Sequence, residues 1–184
     1  MRILLLTCSL ILASMSISIA QSNPSSYANS SSSKHRQAQN QFEGMPPMPF
    51  QAFDMKGKTH FLPEYKGKVV VIAFWAVGDE VSRQQIKSLN RLKQEFTSDQ
   101  VEIISLAEED KPDLVSFLKK NKVDYPVIPN SKPLGEMGYG GEFGTSRIFI
   151  VDKNSVVKKV IVNQNEKEFE TYNVVQPVIK KLLD

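Results

Sequence analysis

Hydrophobic residues in this chain fall into short runs and helical stripes separated by polar turns. The clearest run is Val69–Trp75, VVVIAFW, an unbroken β-branched and aromatic stretch that predicts a strand buried on both faces of a sheet. A turn at Val77-Gly78 follows, and then Ile86, Leu89, Leu92 and Phe96 recur at helical spacing, predicting an amphipathic helix from about Asp79 to Ser98. Val101–Leu106 reads as the next strand, and Pro112 opens a helix carrying Leu114, Phe117 and Leu118 on one face. The apolar run ending at Asp152 pairs through the Lys153-Asn154 turn with Val156–Val162. Val175, Val178, Ile179 and Leu182 define a closing helix, with Pro177 expected in its first turn. Upstream, the prolines of Met45–Phe50 force extended backbone, and Phe50–Asp54 and Thr59–Leu62 read as a small hairpin around Met55–Lys58. This alternation predicts an α/β domain with a mixed sheet and helices on both faces, the first helix across from the other two.

Three stretches fall outside that pattern. Arg2, the apolar Ile3–Leu12 and the small residues Ser18-Ile19-Ala20 predict a secretory signal, residues 1–20, cleaved near Ala20. An uncleaved membrane anchor is the alternative, set back by a short, serine-interrupted apolar run. Residues 21–41 are rich in Ser, Asn and Gln and read as a disordered linker, which leaves 42–184 as the folded domain. Gly135–Gly144, GEMGYGGEFG, reads as the most flexible loop of the domain. It precedes a strand and lacks the terminal Lys-Ser/Thr of a phosphate loop.

Composition narrows the function. The chain is 41% hydrophobic and 23% charged with a net charge of +3, an ordinary soluble balance that gives no reason to expect nucleic acid. Its one cysteine, Cys8, lies in the signal segment. It follows Leu5-Leu6-Thr7, which resembles a lipoprotein acylation site with too short an apolar lead. Cleavage near Ala20 leaves a mature chain with no disulfide, no thiolate metal ligand and no thiol exchange. The two histidines are single residues: His35 in the linker reads as incidental, and His60 on the hairpin as a surface or internally satisfied group. Glu108-Glu109-Asp110 reads as a helix cap rather than a cation site.

The stretch Gly67–Arg83 closely resembles the active-site segment of the thioredoxin-like superfamily, in particular exported TlpA/ResA-type (redoxin, AhpC/TSA-like) domains; the proline-rich lead and hairpin are also similar to peroxiredoxin-type openings. Phe74-Trp75-Ala76 and Arg83 stand in register with that family, but Asp79 and Ser82 occupy its two cysteine positions. Gly144–Asp152 matches the family's loop and strand, with Ser146 in place of the cis-proline; a serine peptide in cis costs about 3–4 kcal/mol, so a trans bond is expected. Ala73 stands where relatives often carry a buried acid. The resemblance spans Met45 to Leu183 and implies a thioredoxin-like fold, a mixed central sheet flanked by helices on both faces with an N-terminal β-hairpin. It also implies thiol-disulfide oxidoreductase or peroxide reductase activity. The four departures point instead to a redox-inactive, periplasmic or secreted module that binds a protein or peptide in the cell envelope. No catalytic residue, cofactor or metal is expected, and membrane contact only through an uncleaved signal. Asp79, Glu80, Arg83, Ser146 and Arg147 form the candidate binding set, for a polypeptide or, as a third reading, a non-thiol ligand. An Asp79–Arg147 or Glu80–Arg147 ion pair is the plainer arrangement of the same residues.

Overall fold

The computed structural model describes residues 24–162 and 171–184, with side chains from Ser33 onward; the expected signal, 1–20, lies outside the described residues. Helix α1 (Pro24–Phe42) leads into a hairpin of β1 (Gln51–Phe53) and β2 (Thr59–Phe61). A 3-10 turn over Leu62–Tyr65 then delivers the chain to β3 (Val69–Trp75). Helix α2 (Glu80–Glu95), β4 (Val101–Ala107), α3 (Lys111–Lys120), β5 (Val127–Ile128) and α4 (Lys132–Gly138) follow, then β6 (Arg147–Val151), β7 (Val157–Val162) and α5 (Thr171–Leu183). The main sheet has the order β5-β4-β3-β6-β7, with β3, β4 and β5 parallel, β6 antiparallel to β3, and β7 antiparallel to β6.

The apolar run of β3 puts it at the centre of this sheet. Every residue from Val69 to Trp75 is buried. Alternation of side chains then builds two cores. Val70, Ile72 and Phe74 join Ile104, Leu106, Phe149, Val151, Val160 and Val162 on one face, where Ala38, Phe50, Leu62, Tyr139 and Phe143 cover them. Val69, Val71 and Ala73 join Ile103, Ile148, Ile150 and Ile161 on the other, beneath Leu89 and Leu92 of α2 and Val175 and Ile179 of α5. Each fully buried aliphatic or Phe side chain contributes about 1.5–3 kcal/mol, so these layers hold the end of β3, and the turn after it, in place.

Four expectations are corrected. First, α2 is not across from the other helices: it packs against α5 in one core, and its Ile86 meets Leu114 of α3 in another. Two successive right-handed parallel crossovers, β3-α2-β4 and β4-α3-β5, step the same way along the sheet and so leave both helices on one face. Second, residues 24–41 are not a disordered linker but lie in α1, whose Ala38 is fully buried and whose Phe42 stacks edge-on against Phe143 and Phe149. Third, the glycine-rich stretch is ordered by close packing rather than loose. Tyr139 and Phe143 are buried within it, Gly140 adopts φ 65°, and a Cβ at Gly138 would lie 2.3 Å from Met48 Sδ. Fourth, Pro177 stands mid-helix in α5, where it has no N–H to return to the preceding turn; the buried Val175 and Ile179 on either side hold the helix through it.

Candidate functional site

The β3–α2 turn lies at the carboxyl end of the parallel strands, where open α/β sheets bind ligands. Asp79 is the N-cap of α2: its Oδ2 accepts the Ser82 N–H at 3.2 Å. The Ser82 hydroxyl donates to the same oxygen at 2.6 Å and accepts the Ala76 N–H at 3.1 Å. Ser82 is fully buried and its only proton is committed to a carboxylate. By the resemblance of the sequence, these are the two positions at which the thioredoxin-like family carries its cysteines. Here they form a closed carboxylate–hydroxyl pair with no thiolate and no histidine base.

The Ser146 loop joins this turn through a residue that sequence reasoning misses. Gln85, fully buried, donates to the Phe74 carbonyl at 3.1 Å and accepts from the Ser146 hydroxyl at 2.6 Å. Among the described residues no peptide bond is cis, so Ser146 is entered in trans, as expected. A signal for Gln85 is present: positions 82, 85, 89 and 92 step by three and four along the apolar face of α2, and two of them are polar. The expected acidic cap of α3 is made in part. Asp110 does cap α3, accepting the Asp113 N–H at 3.1 Å, but Glu109 reaches across to accept the Val77 N–H at 2.7 Å and fixes the turn.

The structure divides the candidate binding set. Glu80 and Arg83 pair with each other on the exposed first turn of α2. Asp79 is held by Ser82, and Ser146 by Gln85. Arg147 points to the other face of the sheet, because it pairs with Phe74 in register and neighbouring strand residues alternate. It lies under α4 with its guanidinium 4.8 Å from the Phe74 ring centroid, and its Nε donates to the Tyr139 carbonyl at 3.0 Å. The expected Asp79–Arg147 and Glu80–Arg147 ion pairs are therefore not made. Burial pulls the Arg147 pKa down to about 10 against the opposing pull of Glu108 and Glu142, so the side chain is still a cation at neutral pH. A Cβ at Gly135 would lie 2.7 Å from its Nη2, which explains a glycine inside α4.

A second polar cluster lies on the hairpin. His60, fully buried, places Nε2 3.0 Å from Asp54 Oδ2 and Nδ1 2.6 Å from the Tyr65 hydroxyl. Asp54 Oδ1 accepts the Lys56 and Lys58 N–H groups. Burial, with the charges of Glu102, Glu64 and Asp54, pushes the Tyr65 pKa up to about 12, so Tyr65 is the donor to His60 and the ring donates in turn to Asp54. His60 is thus an internally satisfied histidine. Among the described residues no group of three His, Cys, Asp or Glu side chains could hold a metal ion, and no helix is long and apolar enough to cross a membrane.

Comparison with known proteins agrees with this fold. The AhpC/TSA family profile matches residues 44–160. A thiol-disulfide oxidoreductase ResA of Bacillus cereus is 31% identical over 127 residues, 67% of this chain and 72% of that protein. The ResA of Geobacillus thermodenitrificans is 28% identical over 117 residues, 62% of this chain and 66%, just under two thirds, of its own length. Among solved structures, a DsbF homologue from Corynebacterium diphtheriae superposes with a TM-score of 0.63 at 20% identity, covering 75% of this chain and 87% of that one.

Proposed function

Given that this chain belongs to the AhpC/TSA family, as a thioredoxin-like domain of TlpA/ResA type, we propose that it is an exported, redox-inactive member that binds a protein partner in the cell envelope. The observation that carries this reading is the Asp79–Ser82 pair. The two positions that hold sulfur in the family's frame are filled by a carboxylate and a buried hydroxyl already bonded to each other at 2.6 Å. Neither exchanges with a disulfide: a carboxylate is a poor nucleophile toward sulfur, and an alcohol's pKa is far above that of a thiol. The first twenty residues, with their basic start, apolar core and small-residue end, support export. The surface there includes the exposed Gly78, Glu80 and Arg83 and the half-buried Thr145, and a bound polypeptide would be held on it without being oxidised or reduced.

A second reading, thiol-disulfide oxidoreductase, is favoured by the names that the ResA relatives carry and needs a thiol that only Cys8 could supply. One assay separates the two: insulin-disulfide reduction and peroxide consumption by the full-length protein and its Cys8→Ser variant, each against reductant alone. The binding-module reading expects rates equal to the reductant control in both. A rate above control would overturn it, and loss of that rate in Cys8→Ser would assign the activity to the N-terminal sulfur.

A further inference from the structure

Strand β7 is an edge of the main sheet, and its outward N–H groups are answered in an unusual way. Among the described residues only Val157 pairs with main chain there: its N–H donates to the Met45 carbonyl at 2.9 Å, and its carbonyl accepts the Gly44 N–H at 2.8 Å. The next two outward donors are met by titratable side chains. Val160 N–H donates to Glu43 Oε1 at 3.0 Å, and Val162 N–H to His35 Nδ1 at 3.2 Å. An edge with open N–H groups is a template for strand pairing, and here it is covered by a helix rather than by a strand. The cover is lightly held. Ser and Asn, poor helix formers, make up much of α1, and among its described side chains Ala38 and Phe42 pack in the sheet's apolar core.

We infer that the outer edge of β7 is a docking surface for an extended, carboxylate-bearing segment of a partner polypeptide, kept closed by α1 and opened when His35 takes up a proton. A neutral imidazole offers the Nδ1 lone pair to the Val162 N–H; a protonated ring sets N–H against N–H. The charged groups facing the ring are Lys159 on β7, which opposes protonation, and Glu43 at the end of α1, which favours it. Burial is the larger effect and, with Lys159, holds the His35 pKa below its ordinary 6.5 while α1 is docked. The sign follows from this. The docked state binds fewer protons, so the contribution of His35 to docking is complete above 6.5 and is lost as the pH falls through the lowered value. The carboxylate in the partner is set by Lys159, whose Nζ lies 3.6 Å from Glu43 Oε1, so the edge already accommodates an acid there. A second copy of this chain paired through β7 would set Lys158 and Lys159 against their own counterparts, which disfavours self-pairing. This surface uses none of the residues at the α2 N-terminus and stands independently of the redox reading.

The test uses the full-length protein and a fluorescent Thr-Val-Glu-Val-Thr-Val-Thr peptide, with its Glu→Lys counterpart as control. Binding is read by anisotropy near pH 5.5 and near pH 7.5, values that bracket histidine titration. The expected result is binding about tenfold tighter at the lower pH, the scale of losing one net hydrogen bond at the Val162 N–H, with no binding of the lysine peptide. His35→Gln keeps a neutral acceptor and should bind weakly at both pH values, whereas His35→Ala should bind tightly at both. Amide exchange at Val160 and Val162, corrected for intrinsic rate, should lose protection at low pH in the wild type and keep it in His35→Gln. Equal affinity at the two pH values, equal binding of the lysine peptide, or unchanged protection of Val162 each overturns the inference.

Discussion

Two buried polar clusters flank β3 in the chain, and their chemistry and their positions point in opposite directions. Asp54, His60 and Tyr65, before the strand, have the composition of a proton relay. Asp79, Ser82, Gln85 and Ser146, gathered where the strand ends, include no histidine, yet they lie at the carboxyl end of the parallel strands, where open α/β sheets bind ligands. In the hairpin cluster a single buried histidine bridges a carboxylate and a phenol, and backbone N–H groups hold the second carboxylate oxygen. In the end-of-strand cluster, neutral groups and one capping carboxylate satisfy one another in pairs. A relay-like set of residues can thus be a cross-link, and a site frame can hold a knot of capping bonds.

The comparison can be broken most directly at His60. His60→Ala leaves Asp54 Oδ2 and the Tyr65 hydroxyl without their partner, and should cost about 2–6 kcal/mol in urea unfolding, at about 1–3 kcal/mol for each group left unpaired. A cost near zero would mean that the hairpin cluster is not the stronger one. Gln85→Leu leaves the Phe74 carbonyl and the Ser146 hydroxyl unpaired, and should cost about 1–3 kcal/mol. Adding Ser146→Ala to it should recover part of that loss, and a double variant no better than the single would remove the proposed link between helix and loop. Asp79→Ala removes a helix cap and should cost about 1 kcal/mol, while Asp79→Asn, also a good cap, should cost little in the same assay.

The smallest effect near neutrality is the pH dependence of Asp54. Burial raises its pKa, but hydrogen bonds from His60 and from the Lys58 and Lys56 N–H groups more than reverse this and leave it below 3.8. The folded state therefore binds fewer protons than the unfolded one in acid. The contribution is complete above about 3.8 and is lost as the pH falls through the lowered value. Asp54→Asn should flatten this part of an acid-unfolding curve, and an unchanged curve would place the acid sensitivity elsewhere.

How much of this is legible in the sequence depends on whether local pattern or tertiary geometry decides the matter. β3 is legible, because seven consecutive apolar residues have no other stable use. So are the Asp79 cap and the trans bond at Ser146, because each follows from the residue type. The side on which α2 packs is not, since it depends on the direction in which successive crossovers step. Arg147 is misplaced because adjacent residues in a strand face opposite ways and the sequence does not say which residue of a loop begins the alternation. The glycine stretch misleads because glycine serves both mobility and close approach, and only Met48, far upstream, and Arg147, on the strand that follows, reveal the second use. The cover on β7 is invisible for a similar reason: a Ser- and Gln-rich segment has no core of its own, and its order comes from a sheet edge more than a hundred residues away.

Trp75 gives these clusters an optical readout. It is the only tryptophan in the chain, fully buried at the end of β3, with its ring centroid 5.5 Å from that of Phe117 and, among the described residues, no hydrogen-bond partner for its Nε1. Its emission therefore comes from a single dry environment, next to the turn that Ser82 and Glu109 hold. A variant or partner that loosens that turn lets water reach the indole and moves the emission to longer wavelength. Events confined to the β7 edge leave it unchanged. The protein thus carries a label-free probe that distinguishes its two surfaces by colour.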